Sequence, residues 1–247
     1  MRYCTIIPVF NNAGTIGDVV RRCLAVQGVS LLVISDGSTD QSDARAKQAG
    51  AKVIKLPQNM GKGQAIRHGL EQARVSGHSH AIVLDADGQH FPEDIPRFIE
   101  ASRQAPNRIW VGVRNMGRGH VPKSSLRGRA ISNFWATLNG WQRCRDTQCG
   151  YRSYPIEKTL ALGCRENGFQ FEMEVLVRAA WQGLRLGHLE IDVHYPQKGS
   201  RVSHFDKTRD NLKFSWLSFK MFLGMLARAP KLAGQRGMRL LSRGVEA

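Results

Sequence analysis

The sequence predicts an α/β fold, with a mostly parallel sheet that carries helices on both faces and an amphipathic helix at the C-terminus. Three features point to it. Short apolar runs alternate with segments of helical period, the runs end in polar turns, and the chain closes in an aromatic-rich segment of different character.

Taken in order, residues 3–9, 30–35, 51–56 and 81–84 are apolar runs bounded by turn formers, the pattern of buried strands. Between them, residues 15–27, 40–49 and 63–74 place apolar side chains at three- and four-residue spacing and predict helices. Ligands of such a sheet sit at the carboxyl ends of its strands, so the polar turns become candidate sites. A helix over 93–104 and a strand over 108–113 continue the series. Residues 115–125 are rich in Gly, Ser and basic side chains without apolar period, and predict a loop leading into a helix over 126–138. "GFQFEMEVLVRAAWQ" over 168–182 is helical in period, and 186–195 alternates as a strand. We divide the chain into a domain over 1–210 and an appended segment over 211–247.

In that last segment Phe214, Trp216, Leu217, Phe219, Met221, Phe222, Leu223, Met225 and Leu226 are too many for one narrow stripe. A helix of this kind serves as core, as a dimer contact or as an interfacial anchor. Basic residues follow at Arg228, Lys231, Arg236, Arg239 and Arg243, which favours an anionic membrane surface. There each nearby basic residue contributes about 1 kcal/mol.

The composition narrows the partners. Thirty-six Lys and Arg against 20 Asp and Glu leave a net charge of +16, which favours nucleic acid, acidic membrane or phosphorylated substrates. A hydrophobic content of 42% excludes a disordered chain. The five cysteines are odd in number and lack CxxC pairs, which excludes a disulfide framework and a structural zinc site and suits a reducing cytosol. No apolar run reaches the roughly 18–20 residues of a membrane span, and the N-terminus enters a strand without a signal-peptide pattern. The expected location is cytoplasmic, peripheral on the inner face of the membrane.

Three polar turns carry the chemistry. In "ISDGSTDQS", residues 34–42, Asp36 follows a strand, and the turn reads either as a capped helix start or as a hydrogen-bonding site for a nucleotide base. "NMGKGQAIRHG", residues 59–69, is not a Walker A loop, because Gly63 stands where Ser or Thr is required. Gly61 and Gly63 still allow a helix N-terminus whose amides, with Lys62, suit a diphosphate. "IVLDADGQH", residues 82–90, departs from an EF-hand loop at Gln89 and His90. Asp85 and Asp87 are either a strand-ending turn or a pair of carboxylates that shares a divalent ion with substrate phosphate. Standing in series after successive strands, the three turns converge on one crevice.

"IIPVFNN", "SDGSTD", "NMGKGQAIRHG", "LDADGQHFPED" and "RDTQCGYRSYP" resemble the inverting glycosyltransferases of family two, over residues 3–206. The branch most similar is that of polyprenyl-phosphate mannosyl or glucosyl transferases, the dolichol-phosphate mannose synthase-like enzymes. The resemblance implies a GT-A, Rossmann-like fold, a GDP- or UDP-linked sugar donor, Mg or Mn, and a lipid-phosphate or other lipid acceptor. It implies nucleotide contacts from Pro8, Phe10, Asn12 and Asp36, and metal or diphosphate contacts from Asp85, Asp87 and Gln89. Arg114, Arg127, Arg129 and Arg201 match basic positions used on donor and acceptor phosphates. The chain departs from the family at Asn12, where Glu is usual, and at Ser35, where a further Asp is usual.

Glu172 and Glu174 lie two apart on one helix and point in different directions, which suits one solvated carboxylate and one ion pair as well as catalysis. By its place in the family pattern Glu172 faces the acceptor and, with Asp87, is the catalytic candidate. A phosphate acceptor attacks unaided, whereas a hydroxyl acceptor would call for a carboxylate base, Glu172 or Asp146. Two rival readings are a nucleotidyltransferase acting on sugar phosphates and a basic nucleic-acid-binding module, although no nucleic-acid motif is visible.

Overall fold

The computed structural model describes residues 1–26, 28–115, 123–194 and 212–229. Its strands are β1 (Tyr3–Val9), β2 (Ser30–Ser35), β3 (Lys52–Lys55), β4 (His80–Val83), β5 (Arg108–Arg114), β6 (Arg152–Pro155) and β7 (Arg185–Ile191). They form one seven-stranded sheet in the order β3-β2-β1-β4-β6-β5-β7. All pairings are parallel except those of β6, which runs antiparallel to both β4 and β5. The helices are α1 (Ile16–Leu24), α2 (Ser42–Gln48), α3 (Lys62–Val75), α4 (Ile95–Gln104), α5 (Lys123–Gly140), α6 (Ile156–Leu160), α7 (Phe171–Trp181) and α8 (residues 212–229).

The strands read as unbroken apolar runs because both faces of the sheet are covered. Along β1, Cys4 and Ile6 point into a core shared with α3, α6, α7 and α8, while Tyr3, Ile7 and Val9 point into a second core under α1, α2 and α4. Gly69 lets α3 lie against β1, since a Cβ there would stand 2.6 Å from Ile6 Cγ2.

The order of strands reverses between β1 and β4, which is where open α/β sheets form their crevice. The β1–β4 register ends at Ile6↔Val83, with a last bond of 3.3 Å from Leu84 N to the Ile6 carbonyl. The Val9 carbonyl faces β2, where it accepts Asp36 N at 2.8 Å. Alternation therefore turns the Pro8 nitrogen toward β4, past that strand's last bond, so a proline in a central strand forfeits no ladder bond.

Most predicted elements are present, with shifts at their ends. The predicted strand over 186–195 stops at Ile191 and is followed by a single bridge between Val193 and His90. Of the predicted loop over 115–125, residues 123–125 belong to α5 and 116–122 lie outside the described residues. Residues 212–229 form a helix in the predicted C-terminal segment, and this α8 seats Leu217, Met221 and Met225 in the first core.

Strand β6 has no counterpart in the sequence reading, because "RSYP" shows no alternation and begins with a charge. Arg152 is nevertheless fully buried. Its guanidinium donates to the carbonyls of Cys149 at 2.8 Å, Glu172 at 2.7 Å and Thr147 at 2.7 Å, which joins the 146–150 turn to α7. Replacing it by an apolar side chain removes all three of these buried bonds. Arg152→Met is expected to lower the unfolding free energy by about 3–5 kcal/mol, measured by urea denaturation; a loss below about 1 kcal/mol would contradict the structural role.

Candidate active site at the sheet switch point

The loops after β1 and β2 are fastened to each other. Asn11, with φ of 48°, accepts Thr39 N on Oδ1 at 2.9 Å, and the Ser42 hydroxyl accepts Asn12 N at 2.8 Å. Asp40 accepts Ala13 N at 3.0 Å and Ser42 N at 2.9 Å, and so does the work of a cap for α2 from two residues upstream. Pro8 is buried within β1, whereas Phe10 and Asn12 are half-buried at its carboxyl end.

Asp36, predicted to meet a base, is only 3% exposed. Its two oxygens accept Met60 N at 2.7 Å and Gly61 N at 2.8 Å, so the carboxylate holds the β3–α3 turn against β2. Burial raises its pKa, and the two amide bonds only partly oppose that.

The amino end of α3 differs from the anion cradle that the glycines suggest. Gln64 N donates to the Asn167 carbonyl at 3.1 Å, and a Cβ on Gly63 would stand 2.5 Å from Phe171 Cβ. These glycines admit protein, the 166–171 segment, rather than an open phosphate. Lys62 follows suit: its ammonium bridges Asp85 Oδ1 at 2.5 Å and Glu172 Oε1 at 2.6 Å. Burial alone would lower its pKa, but the two carboxylates more than offset this and keep it charged.

At the end of β4 the chain turns away from β1 through Asp85, Ala86 and Asp87. Thr15 at the start of α1 donates to the Ala86 carbonyl at 2.6 Å, and Gln89 N donates to Asp87 Oδ1 at 3.1 Å. For Asp85, burial raises the pKa, but the charges of Lys62 and then Arg114 outweigh it and the carboxyl lies below its usual range. Asp87 goes the other way, raised by burial and then by the Asp85 charge.

His90, quoted in the motif but given no role by the sequence reading, is buried beneath this turn. Burial lowers its pKa against the pull of Asp85 and Asp87, so the ring is neutral. Nδ1 accepts Asp85 N at 3.4 Å, which leaves the proton on Nε2, 3.8 Å from Cys149 Sγ.

Asp85, Asp87 and Gln89 offer carboxylate and carboxamide oxygens, a hard donor set that suits Mg or Mn rather than zinc. Among the described residues the buried Gln89 amide nitrogen has no hydrogen-bond partner. Among the described residues no group of three or more His, Cys, Asp or Glu is arranged to hold a metal. Two carboxylates and a carboxamide would leave the rest of a Mg or Mn shell to water and substrate phosphate.

Next to this turn, beyond β6, lies a cavity of about 460 Å³ whose lining includes Arg114, Arg129, Asn133, Arg143, Arg145 and Glu190. Asp146, fully buried, is forked by Arg114 at 2.8 and 2.9 Å and approached by Arg129 at 3.5 Å. Burial raises its pKa, but the two guanidiniums outweigh this and hold it ionised. That removes Asp146 as a general base, because its oxygens are occupied and its proton affinity is reduced. Arg127 is exposed on α5, and Arg201 lies outside the described residues. The 146–150 turn joins both halves of the site: Asp146 meets Arg114, and a Cβ on Gly150 would stand 2.5 Å from Asp85 Oδ2.

Of the two readings of the α7 glutamates, the one with a solvated carboxylate does not hold, since both are buried. Glu174 pairs with Arg178 at 2.7 Å and accepts the amides of Arg165 and Glu166. Glu172 alone faces the site. Asp36→Asn should speed hydrogen exchange at the Met60 and Gly61 amides and lower stability by about 1–3 kcal/mol, read by exchange NMR and denaturation; unchanged exchange would contradict the clamp.

The sequence profile of "Glycosyl transferase family 2" matches residues 4–160. Glycosyltransferase AglJ of Haloferax volcanii is 29% identical over 210 residues, 84% of this chain and 67% of that protein. The undecaprenyl-phosphate mannosyltransferase of Micrococcus luteus is 27% identical over 77% of this chain and 83% of its own. The polyprenol monophosphomannose synthase of Mycolicibacterium smegmatis is 27% identical over 82% of this chain and 80% of its own. The fold matches that of glucosyl-3-phosphoglycerate synthase from Mycobacterium tuberculosis, solved with Mn2+, uridine-diphosphate-glucose and phosphoglyceric acid. That match has a TM-score of 0.67 at 20% identity and covers 91% of this chain and 79% of the other.

Proposed function

As the chain belongs to glycosyl transferase family 2, we propose that it moves a sugar, with inversion, from a GDP- or UDP-linked donor to a lipid phosphate at the cytoplasmic face of a membrane. Family membership favours sugar transfer over the nucleotidyltransferase and nucleic-acid readings that its motifs and charge also suggest. The observation that carries the reading is adjacency. An acidic turn suited to a metal and diphosphate stands beside an arginine-lined cavity, and one short turn touches both.

In this reading Pro8, Phe10 and Asn12 border the nucleotide, and Asp36 shapes its pocket by holding the Met60–Gly61 turn. Asp85, Asp87 and Gln89 would hold Mg or Mn. The ion, when bound, stabilises negative charge on the departing nucleoside diphosphate. Among the described residues at the cavity, the four guanidiniums of Arg114, Arg129, Arg143 and Arg145 outnumber the carboxylates of Glu190 and the adjoining Asp146. That balance suits one phosphate monoester, which is largely a dianion at neutral pH because its second pKa is about 6. Such an acceptor attacks without a base, and the arginines orient it. Arg127 and Arg201 are assigned to the approach of the same phosphates on the family pattern.

The division at residue 210 becomes one of roles, with transfer assigned to residues 1–210 and membrane docking to 211–247. The apolar side chains of α8 divide between two faces. Leu217, Met221 and Met225 are core, while Leu212, Trp216, Phe219, Leu223 and Leu226 are exposed at spacings of four and three residues. Lys213, Lys220 and Arg228 add positive charge to the same helix. Among the described residues no helix is long and apolar enough to cross a membrane, and the exposed face of α8 suits lying in its surface.

Incubating the protein with membranes, Mn or Mg and labelled nucleotide sugars, then following label into lipid extract, tests the reading. Asp87→Asn should reduce transfer by a factor of about 100 or more with an unchanged melting temperature, and retained transfer would remove the metal assignment. The triple variant Trp216→Ser, Phe219→Ser, Leu223→Ser should weaken binding to anionic vesicles about tenfold or more while leaving the core intact. Equal vesicle binding in a sedimentation assay would remove α8 as the docking element.

A further inference from the structure

We propose that Lys62 is a built-in counter-ion of the acidic site, which keeps a divalent cation out until the donor diphosphate arrives to take over the lysine's charge. The inference rests on the reading of Asp85 and Asp87 as metal ligands and extends it to the order in which the site fills.

The geometry carries it. Lys62 is the first residue of α3, and its side chain runs into the gap between β4 and α7. There the ammonium sits 2.5 Å from Asp85 Oδ1 and 2.6 Å from Glu172 Oε1, with side chains exposed by only 16%, 25% and 8% respectively. Asp85 is the carboxylate that a metal would need, and one of its oxygens is already held by a cation. A divalent ion on Asp85 would stand within a few ångströms of that ammonium in a poorly hydrated pocket, where like charges repel strongly. The lysine must therefore leave, or the ion must bind weakly.

The surroundings permit it to leave. Lys62 has a flexible four-carbon stem, and its ammonium is held by side chains, the two carboxylates and the face of Phe169 at 5.8 Å from the ring centroid. Glu172 does not hold it in place alone, because the pair would lose the second carboxylate. A nucleoside diphosphate entering the crevice brings negative charge of its own. Lys62 then exchanges its carboxylate partners for phosphate oxygens, and Asp85 is released at the moment when phosphate is available to complete the ion's shell. Wild-type protein should thus bind metal and nucleotide with positive coupling, and the part of it beyond direct phosphate–metal contact should reside in one side chain.

The experiment titrates Mn2+ into the intact protein by electron paramagnetic resonance, alone and with GDP or UDP. Lys62→Met should bind Mn2+ about tenfold tighter than wild type without nucleotide. Glu172→Gln should bind it more weakly than wild type, since the ammonium then falls wholly to Asp85. Nucleoside diphosphate should tighten Mn2+ on wild type about tenfold and on Lys62→Met far less. Melting curves check folding, and Lys62→Gln, for which the same result is expected, serves if the methionine variant is unfolded. Mn2+ binding to the lysine variants no tighter than to wild type overturns the inference while leaving the metal ligands standing. Absence of Mn2+ binding in every form, with either nucleotide, overturns both.

Discussion

Charge withdrawn from water must be matched inside the protein, and the carboxyl edge of this sheet is organised by that requirement. Asp146 is buried between Arg114 and Arg129, Glu174 is held by Arg178 and two amides, and Arg152 is surrounded by carbonyls. Lys62 is balanced by Asp85 and Glu172. Apart from the Glu174–Arg178 pair within α7, these contacts join elements distant in sequence, so neutralising the charges also assembles the crevice. The 146–150 turn is held from below by Arg152 and from the side by Arg114, and it presents Gly150 to Asp85 where any larger residue would collide.

The sheet determines where these charges gather. Its strand order reverses between β1 and β4, and the two strands part after Val83, so that the polar turn of Asp85 to Gln89 opens onto a gap. On the other side of β6, the parallel strands β5 and β7 end beside the arginine-lined cavity. The antiparallel insertion of β6 brings the two within reach of one turn. The acidic turn and the arginine-lined cavity thus share an edge while the rigid strands hold them apart, which in the proposed reading suits transfer between two bound groups.

Residues that seem to offer themselves to ligand often serve the scaffold first. Gly63 and Gly61 look like a phosphate loop, yet they pack against residues 166–171. Asp36 looks like a base contact, yet its oxygens hold the amides of Met60 and Gly61. A short loop of small and acidic residues has the same spelling whether its amides and oxygens are satisfied by ligand or by protein.

By itself the sequence determined the alternating α/β order, the near-continuous strands and the candidate acidic turn. These follow from local periodicity and from carboxylates one residue apart. Strand β6 was not legible, because its face is completed by an arginine whose burial depends on carbonyls from two other segments. The partners of Lys62 were equally hidden: Glu172 lies 110 residues away, and its selection over Glu174 depends on how α7 is turned against α3. Tertiary structure alone decided which charges meet, since pairing in a buried site is set by distance and desolvation, and neither is written in spacing along the chain.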